Sequence, residues 1–236
     1  MNRVRVIIII TLSMLLPPLL AVWLTGTHVS LYLNFPFRPP AAQHEGFSWP
    51  IWWLMVIFVF IVLLTFVVHA SRYTIKTQPL QKDYYFPNWG IVATILIIIS
   101  WILAWNRFTW FASFQIYTFT PLWLCYIVIV NAITTYRQGH CLLIRRPSYL
   151  LGLFILSSIF WWYYEYLNGF IKNWHYVGVD HLADPEYVFH STIAYATVLP
   201  AVISTIELLN TLPRLNQPFT NFWPMQVSIP KAWAIA

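Results

Sequence analysis

Twenty consecutive residues, Ile51–Ala70, read IWWLMVIFVFIVLLTFVVHA and carry no acidic or basic side chain apart from His69. Twenty residues of α-helix rise about 30 Å, the thickness of a bilayer's hydrocarbon core. A helix of that length on a water-soluble protein shows a polar face, and this run has none. Lipid is the solvent that accepts such a surface, so the fold is expected to be decided in a membrane.

The remainder of the chain points the same way. Hydrophobic residues make up 59% and charged residues only 8%, against about 25% charged in ordinary soluble domains. The 236 residues suffice for about six spanning helices with short connections and leave no room for a separate soluble domain of ordinary size. The net charge of +6 fits orientation signals and contact with anionic lipid headgroups. No basic patch interleaved with aromatics supports nucleic-acid binding. Cys125 lies in an apolar run and Cys141 in a basic loop, with no zinc or redox spacing, so neither a disulfide nor a cysteine metal site is expected. The start of the chain has Arg3 and Arg5 before a long apolar stretch without a clean small-x-small cleavage site, which reads as an uncleaved first helix rather than a signal peptide.

The expected architecture is an all-α membrane bundle with spans near 6–25, 51–70, 90–105, 114–134, 149–166 and 191–209. Pro36, Pro39, Pro40 and Pro50 exclude regular helix across 35–50, and Pro79, Pro87 and Pro147 mark further boundaries. Basic residues set the orientation. Arg3, Arg5, Arg72, Lys76, Lys82, Arg137, Arg145, Arg146, Arg214 and Lys231 fall on one side; Arg38, Arg107 and Lys172 fall on the other. Both termini are therefore expected in the cytoplasm, with 26–50, 106–113 and 167–190 outside. Trp49, Trp52, Trp53, Trp89, Trp105, Trp110, Trp161, Trp162 and Trp174 sit at expected span ends, as in an interfacial aromatic belt. Residues 210–236 contain Pro213, Pro218, Pro224 and Pro230 and read as a cytoplasmic or interfacial tail anchored by Trp223 and Trp233.

Glu165 and Asn168 are the residues best placed for chemistry. Three apart, they share a helix face if the fifth span runs through them. A carboxyl so near lipid needs a partner or a proton, and Asn168, His175 or Tyr176 could provide the partner. Such a pair could serve as general acid and orienting amide, or as a bond tying the following loop to the helix. In the sixth span, Pro200 is expected to kink the helix near Thr197, Ser204 and Thr205, and Glu207 follows. Those hydroxyls could open a polar pocket or only satisfy the freed backbone. Glu165 and Glu207 are expected at opposite faces, which argues against a paired-carboxylate site. His175, His181 and His190, with Asp180, Asp184 and Glu186, form a candidate metal cluster in the outer loop, where a turn at Pro185 could bring His181 and His190 together. His69 could be an axial ligand only if a haem or pigment were bound; no cofactor is otherwise implied.

The pattern W-x-x-x-E-x-x-N at Trp161–Asn168, with W-x-Y at Trp174–Tyr176 and A-T-V-L-P-A at Ala196–Ala201, resembles an uncharacterised family of bacterial multi-spanning membrane proteins. The resemblance covers about residues 150–210. Longer members of that family carry a second, related element, so the chain resembles their first half. It implies a helical fold in the bacterial inner membrane and no particular reaction. A fainter similarity to membrane-embedded carotenoid cyclases and hydratases rests on aromatic-flanked acids, but their paired proline–acid motif is absent.

Four functional classes follow. The first is an accessory subunit of a larger membrane complex, with lipids and other membrane subunits as its partners and no nucleic acid. The second is an enzyme on an isoprenoid or lipid, with Glu165 as acid and Asn168 orienting it. The third is a small transporter using the Pro200 kink and Glu207. The fourth is a haem or metal protein. The accessory subunit is the preferred reading, because no convincing catalytic constellation is visible.

Overall fold

The computed structural model describes residues 3–26, 28, 32, 34–36, 38, 46–73 and 84–220. Among them the chain is all-helical: α1 (Arg3–Leu24), α2 (Trp49–Arg72), α3 (Asn88–Trp105), a 3-10 segment (Thr109–Tyr117), α4 (Phe119–Gln138), the single turn α5 (Leu142–Arg145), α6 (Pro147–Ile171), α7 (Asp184–Ala196), α8 (Val198–Asn210) and α9 (Pro213–Asn216). Five stretches are long and apolar enough to cross a membrane: α2, α3, α4, α6, and α7 with α8 as one run of 27 residues. The apolar part of α1, Thr11–Leu24, is shorter. These are the features of an integral membrane protein.

α4 packs between α3 and α8, and α6 packs against both α7 and α8. The α3–α4 contact is close because Gly90 lacks a side chain. A Cβ there would lie 2.5 Å from the Ala132 Cβ, well inside contact distance. α2 stands apart among the described residues: none of its residues is buried, and the element it packs on is the 3-10 turn at Gln217–Phe219. There the His69 Nε2 pairs with the Pro218 carbonyl at 2.7 Å, and Phe219 packs on Phe66 and His69.

Contacts sort by end of the bundle, as alternating helix directions require. At one end Tyr32 stacks on Phe170, Arg38 reaches Leu182 and Asp184, and Tyr117 bonds Glu186. At the other, Glu207 accepts the Leu142 N–H at 2.8 Å and Arg137 donates to Thr211. Gly139, at φ +78°, closes α4 there with the Tyr84 ring where a Cβ would sit. The left-handed backbone and the crowding both call for glycine.

Three helices have bounds that differ from the expected spans. The fourth helix starts at Phe119, not near 114, because 109–117 forms the 3-10 segment. Gln115 in that segment donates to the Leu103 and Ala104 carbonyls at 3.0 and 2.6 Å, satisfying acceptors that the end of α3 leaves open. The fifth helix continues to Ile171, so Glu165 lies inside it. The sixth begins at Asp184, seven residues earlier than expected, because Asp184-Pro185-Glu186 is a helix start: proline fits the first turn and acidic side chains suit the N-terminal dipole. Asp184, Glu186 and His190 are thus helical, not loop, residues. Lys76, Pro79, Lys82, Trp223, Lys231 and Trp233, on which parts of the orientation and tail readings rest, lie outside the described residues, as do Pro39, Pro40, Pro224 and Pro230.

The Pro200 kink takes a specific form. α7 ends at Ala196 and α8 begins at Val198. In a continuous helix the Leu199 N–H would donate to the Tyr195 carbonyl. Instead the buried Ser157 hydroxyl of α6 is inserted between them, accepting from the Leu199 N–H at 3.0 Å and donating to the Tyr195 oxygen at 2.5 Å. Ser158 beside it donates to the Thr192 carbonyl at 3.0 Å. A neighbouring side chain thus replaces one rung of the ladder, one of the few ways a helix breaks inside lipid without an orphaned backbone group.

Candidate functional site

The most polar buried point of α6 is Glu165, with no exposed surface. It is reached by the loop that follows α6. That loop turns back at Lys172, held at φ 53° with its N–H on the Asn168 carbonyl at 2.6 Å. Asn168, also buried, then fastens the returning strand. Its Oδ1 accepts from the N–H groups of Asn173 and Trp174 at 2.9 and 3.2 Å, and its Nδ2 donates to the Trp174 carbonyl at 2.8 Å. So anchored, the loop aims the Trp174 indole N–H at Glu165 Oε1 at 2.5 Å and the Tyr176 hydroxyl at the same oxygen at 3.1 Å. The expected partnership is half right. Tyr176 does reach Glu165, but Asn168 spends its amide on the loop backbone, and His175 is exposed. Glu165 Oε2 is buried with no hydrogen-bond partner among the described residues.

Aromatic rings enclose this network. Trp162 meets Tyr195 and Tyr187 edge-on at 5.2 and 6.4 Å, and Trp161 packs on Tyr195. Trp161, Trp162 and Trp174 therefore do more than mark the interface: all three are partly buried, and their indole N–H groups are spent on Tyr176 of the loop, Thr192 of α7 and Glu165 of α6 respectively. Trp49, Trp53, Trp105 and Trp110, by contrast, are widely exposed, as a lipid-interface belt requires. Burial pushes the Tyr176 hydroxyl above its ordinary value, outweighing bonds that would lower it.

Beside Tyr176 lies a cavity of about 330 Å³, walled by Tyr117, Trp161, Tyr176, Tyr187, His190 and Tyr195 among others. Tyr117 stacks on His190 with ring centres 4.2 Å apart and donates to Glu186 Oε1 at 2.9 Å. That carboxylate is the main reason the Tyr117 hydroxyl is held above its usual range. Arg38, from the connection before α2, lies 4.4 Å over the Tyr187 ring, pairs with Asp184 at 3.0 Å and donates to the Leu182 carbonyl at 3.0 Å. Phe35 of the same connection packs on Trp162. Sequence reasoning used Arg38 only as an orientation mark. Its signal was its isolation: it is the single Lys or Arg between Arg5 and Arg72.

The remaining candidates are placed as follows. Glu207, on α8, holds Leu142 of α5, just ahead of α6, whereas Glu165 lies about 27 Å along α6 from its start at Pro147. The two carboxylates do not form a pair. Near Glu207, Asn131 donates to Ser204 Oγ at 2.9 Å and accepts from the Leu143 N–H at 3.0 Å, while Thr205 bonds the Ala201 carbonyl and Tyr126. These hydroxyls and amides satisfy backbone and one another. His175 and His181 are exposed, and among the described residues no group of three or more His, Cys, Asp or Glu side chains is arranged to hold a metal ion. His69 has a ring nitrogen engaged by Pro218. Cys125 and Cys141 are buried free thiols. No protein family, curated protein or solved structure matches the chain.

Proposed function

We propose that the chain is a six-span protein of the bacterial inner membrane, with α1 as the first span and both ends cytoplasmic, acting as an accessory subunit of a larger membrane complex. The observation that carries this reading is α2. It is 24 residues long, apolar on every face and without a buried residue, and among the described residues it packs on the rest of the molecule at one end, through residues 217–219. In lipid there is no hydrophobic force that gathers such a helix against its own bundle, so its exposed apolar surface away from Phe66 and His69 can pack on another subunit's helices. The spending of the Asn168 amide and of Glu165 Oε1 on the chain's own loop supports a role without catalysis. A photo-crosslinker at Phe60, a widely exposed residue of α2, tests the reading in native membranes. One protein adduct in stoichiometric yield is expected; lipid adducts alone would remove it.

A second reading, an enzyme acting on an isoprenoid or lipid with Glu165 as acid, is favoured by the unpartnered Oε2. A buried carboxyl with an open oxygen is expensive in a membrane and commonly functional. Glu165→Gln should then abolish turnover with the fold intact, and unchanged product formation would dispose of the idea.

A further inference from the structure

We propose that the cavity beside Tyr176 binds a small lipophilic organic cation, an ammonium group carried on a short aromatic or alkyl body. The site is independent of the subunit reading above. Its wall is built from the rings of Tyr117, Trp161, Tyr176, Tyr187 and Tyr195, and the negative π-faces of such rings attract cations that have shed water. No lysine or arginine is among the lining residues. Arg38, which lies over the Tyr187 ring, has its charge paired with Asp184.

The hydroxyl protons decide the sign of the ligand. Tyr117 donates its proton to Glu186 and Tyr176 donates its proton to Glu165. The Tyr117 oxygen is thereby left as an acceptor, polarised by the acid behind it, while the Tyr176 oxygen already takes the Trp161 indole N–H; the His190 imidazole lines the same cavity. Acceptors, π-faces and acids suit a cationic or donor-bearing group and oppose an anion. The volume, about 330 Å³, is at the small end of ligand pockets, so it suits a compact molecule and not a whole lipid.

The test uses the full chain in lipid nanodiscs and two probes of equal shape, benzyltrimethylammonium and its neutral isostere neopentylbenzene, with phenylacetate as the anion. The cation is expected to bind about 2- to 30-fold more tightly than the isostere, the range that cation–π contacts span between exposed and desolvated sites, and the anion most weakly. Glu186→Gln changes an exposed side chain and should weaken the cation while sparing the isostere. Trp161→Leu keeps an apolar wall and should reduce the cation's advantage. An isostere that binds as tightly as the cation, a cation preference unmoved by both substitutions, or no binding of either probe would each overturn the assignment.

Discussion

Replacing Asn168 by alanine should release the loop after α6, and the structure sets the size of the effect. The amide makes three contacts with the Asn173 and Trp174 backbone, at 2.8 to 3.2 Å. Asn173 is exposed, so water can replace its lost acceptor and the net loss there is about 0.5–1 kcal/mol. Trp174 is partly buried, and its N–H and carbonyl lose about 0.8–1 kcal/mol each. The sum is about 2–3 kcal/mol. Lys172, exposed and held at φ 53° beside this anchor, is a tryptic site whose cleavage requires the loop to open. When opening is fast relative to cleavage, the rate follows the population of the open form. A loss of about 2–3 kcal/mol then speeds cleavage at Lys172 by about 30- to 150-fold, at 1.4 kcal/mol per factor of ten. The assay is limited proteolysis of the detergent-solubilised chain, with the Lys172 fragment quantified by mass spectrometry. Cleavage within twofold of the parent would mean that Asn168 does not hold the loop, and the placement of Trp174 and Tyr176 on Glu165 would need another cause.

Three further outcomes are expected. Ser157→Ala removes the hydroxyl inserted between Tyr195 and Leu199 and should cost about 1–3 kcal/mol, read as a lowered thermal midpoint; an unchanged midpoint would show that the break at Thr197 needs no filler. Gly90→Val forces α3 from α4 and should destabilise by about 1–3 kcal/mol, whereas Gly152→Ala, which meets nothing within 4 Å, should be neutral or slightly stabilising; equal effects would contradict the close α3–α4 approach. The Tyr176 hydroxyl lies outside the spanning helices and is raised above 10.0 by burial, so the unfolded chain loses this proton first. Its contribution is complete below about pH 10 and is lost as pH rises through the folded value. Tyr176→Phe should flatten that alkaline decline in thermal-shift measurements, and an identical decline would refute the assignment.

What was legible depended on whether hydropathy alone decides a segment. α2 and α3 came out within a few residues because nothing in their interiors competes with the apolar signal. Thr109–Tyr117 is equally aromatic and apolar but folds as a 3-10 segment, because the Gln115 amide finds the end of α3, a long-range match that no local pattern contains. Asp184-Pro185-Glu186 carried a readable helix-start signal, masked by its acidity, which resembles a solvated loop. Glu165 was found because a carboxylate in an apolar helix is costly. The bonding choice of Asn168 was hidden: Lys172 supplies the left-handed turn where a glycine would have announced it. Ser157 was missed although a Ser-Ser pair in an apolar helix, in a chain with a proline-broken partner, is a usable sign that one helix supplies hydroxyls to the other.

The pairing of His69 with Pro218 joins positions 149 residues apart, and this has a consequence for how the molecule is made. During synthesis α2 leaves the translocation machinery long before the turn that will hold it exists. It can therefore enter the bilayer as an independent rod, which its mean hydropathy of 3.0 allows. Clasping it to the finished bundle is among the last events of assembly, and until then any neighbouring chain in the membrane has first access to it.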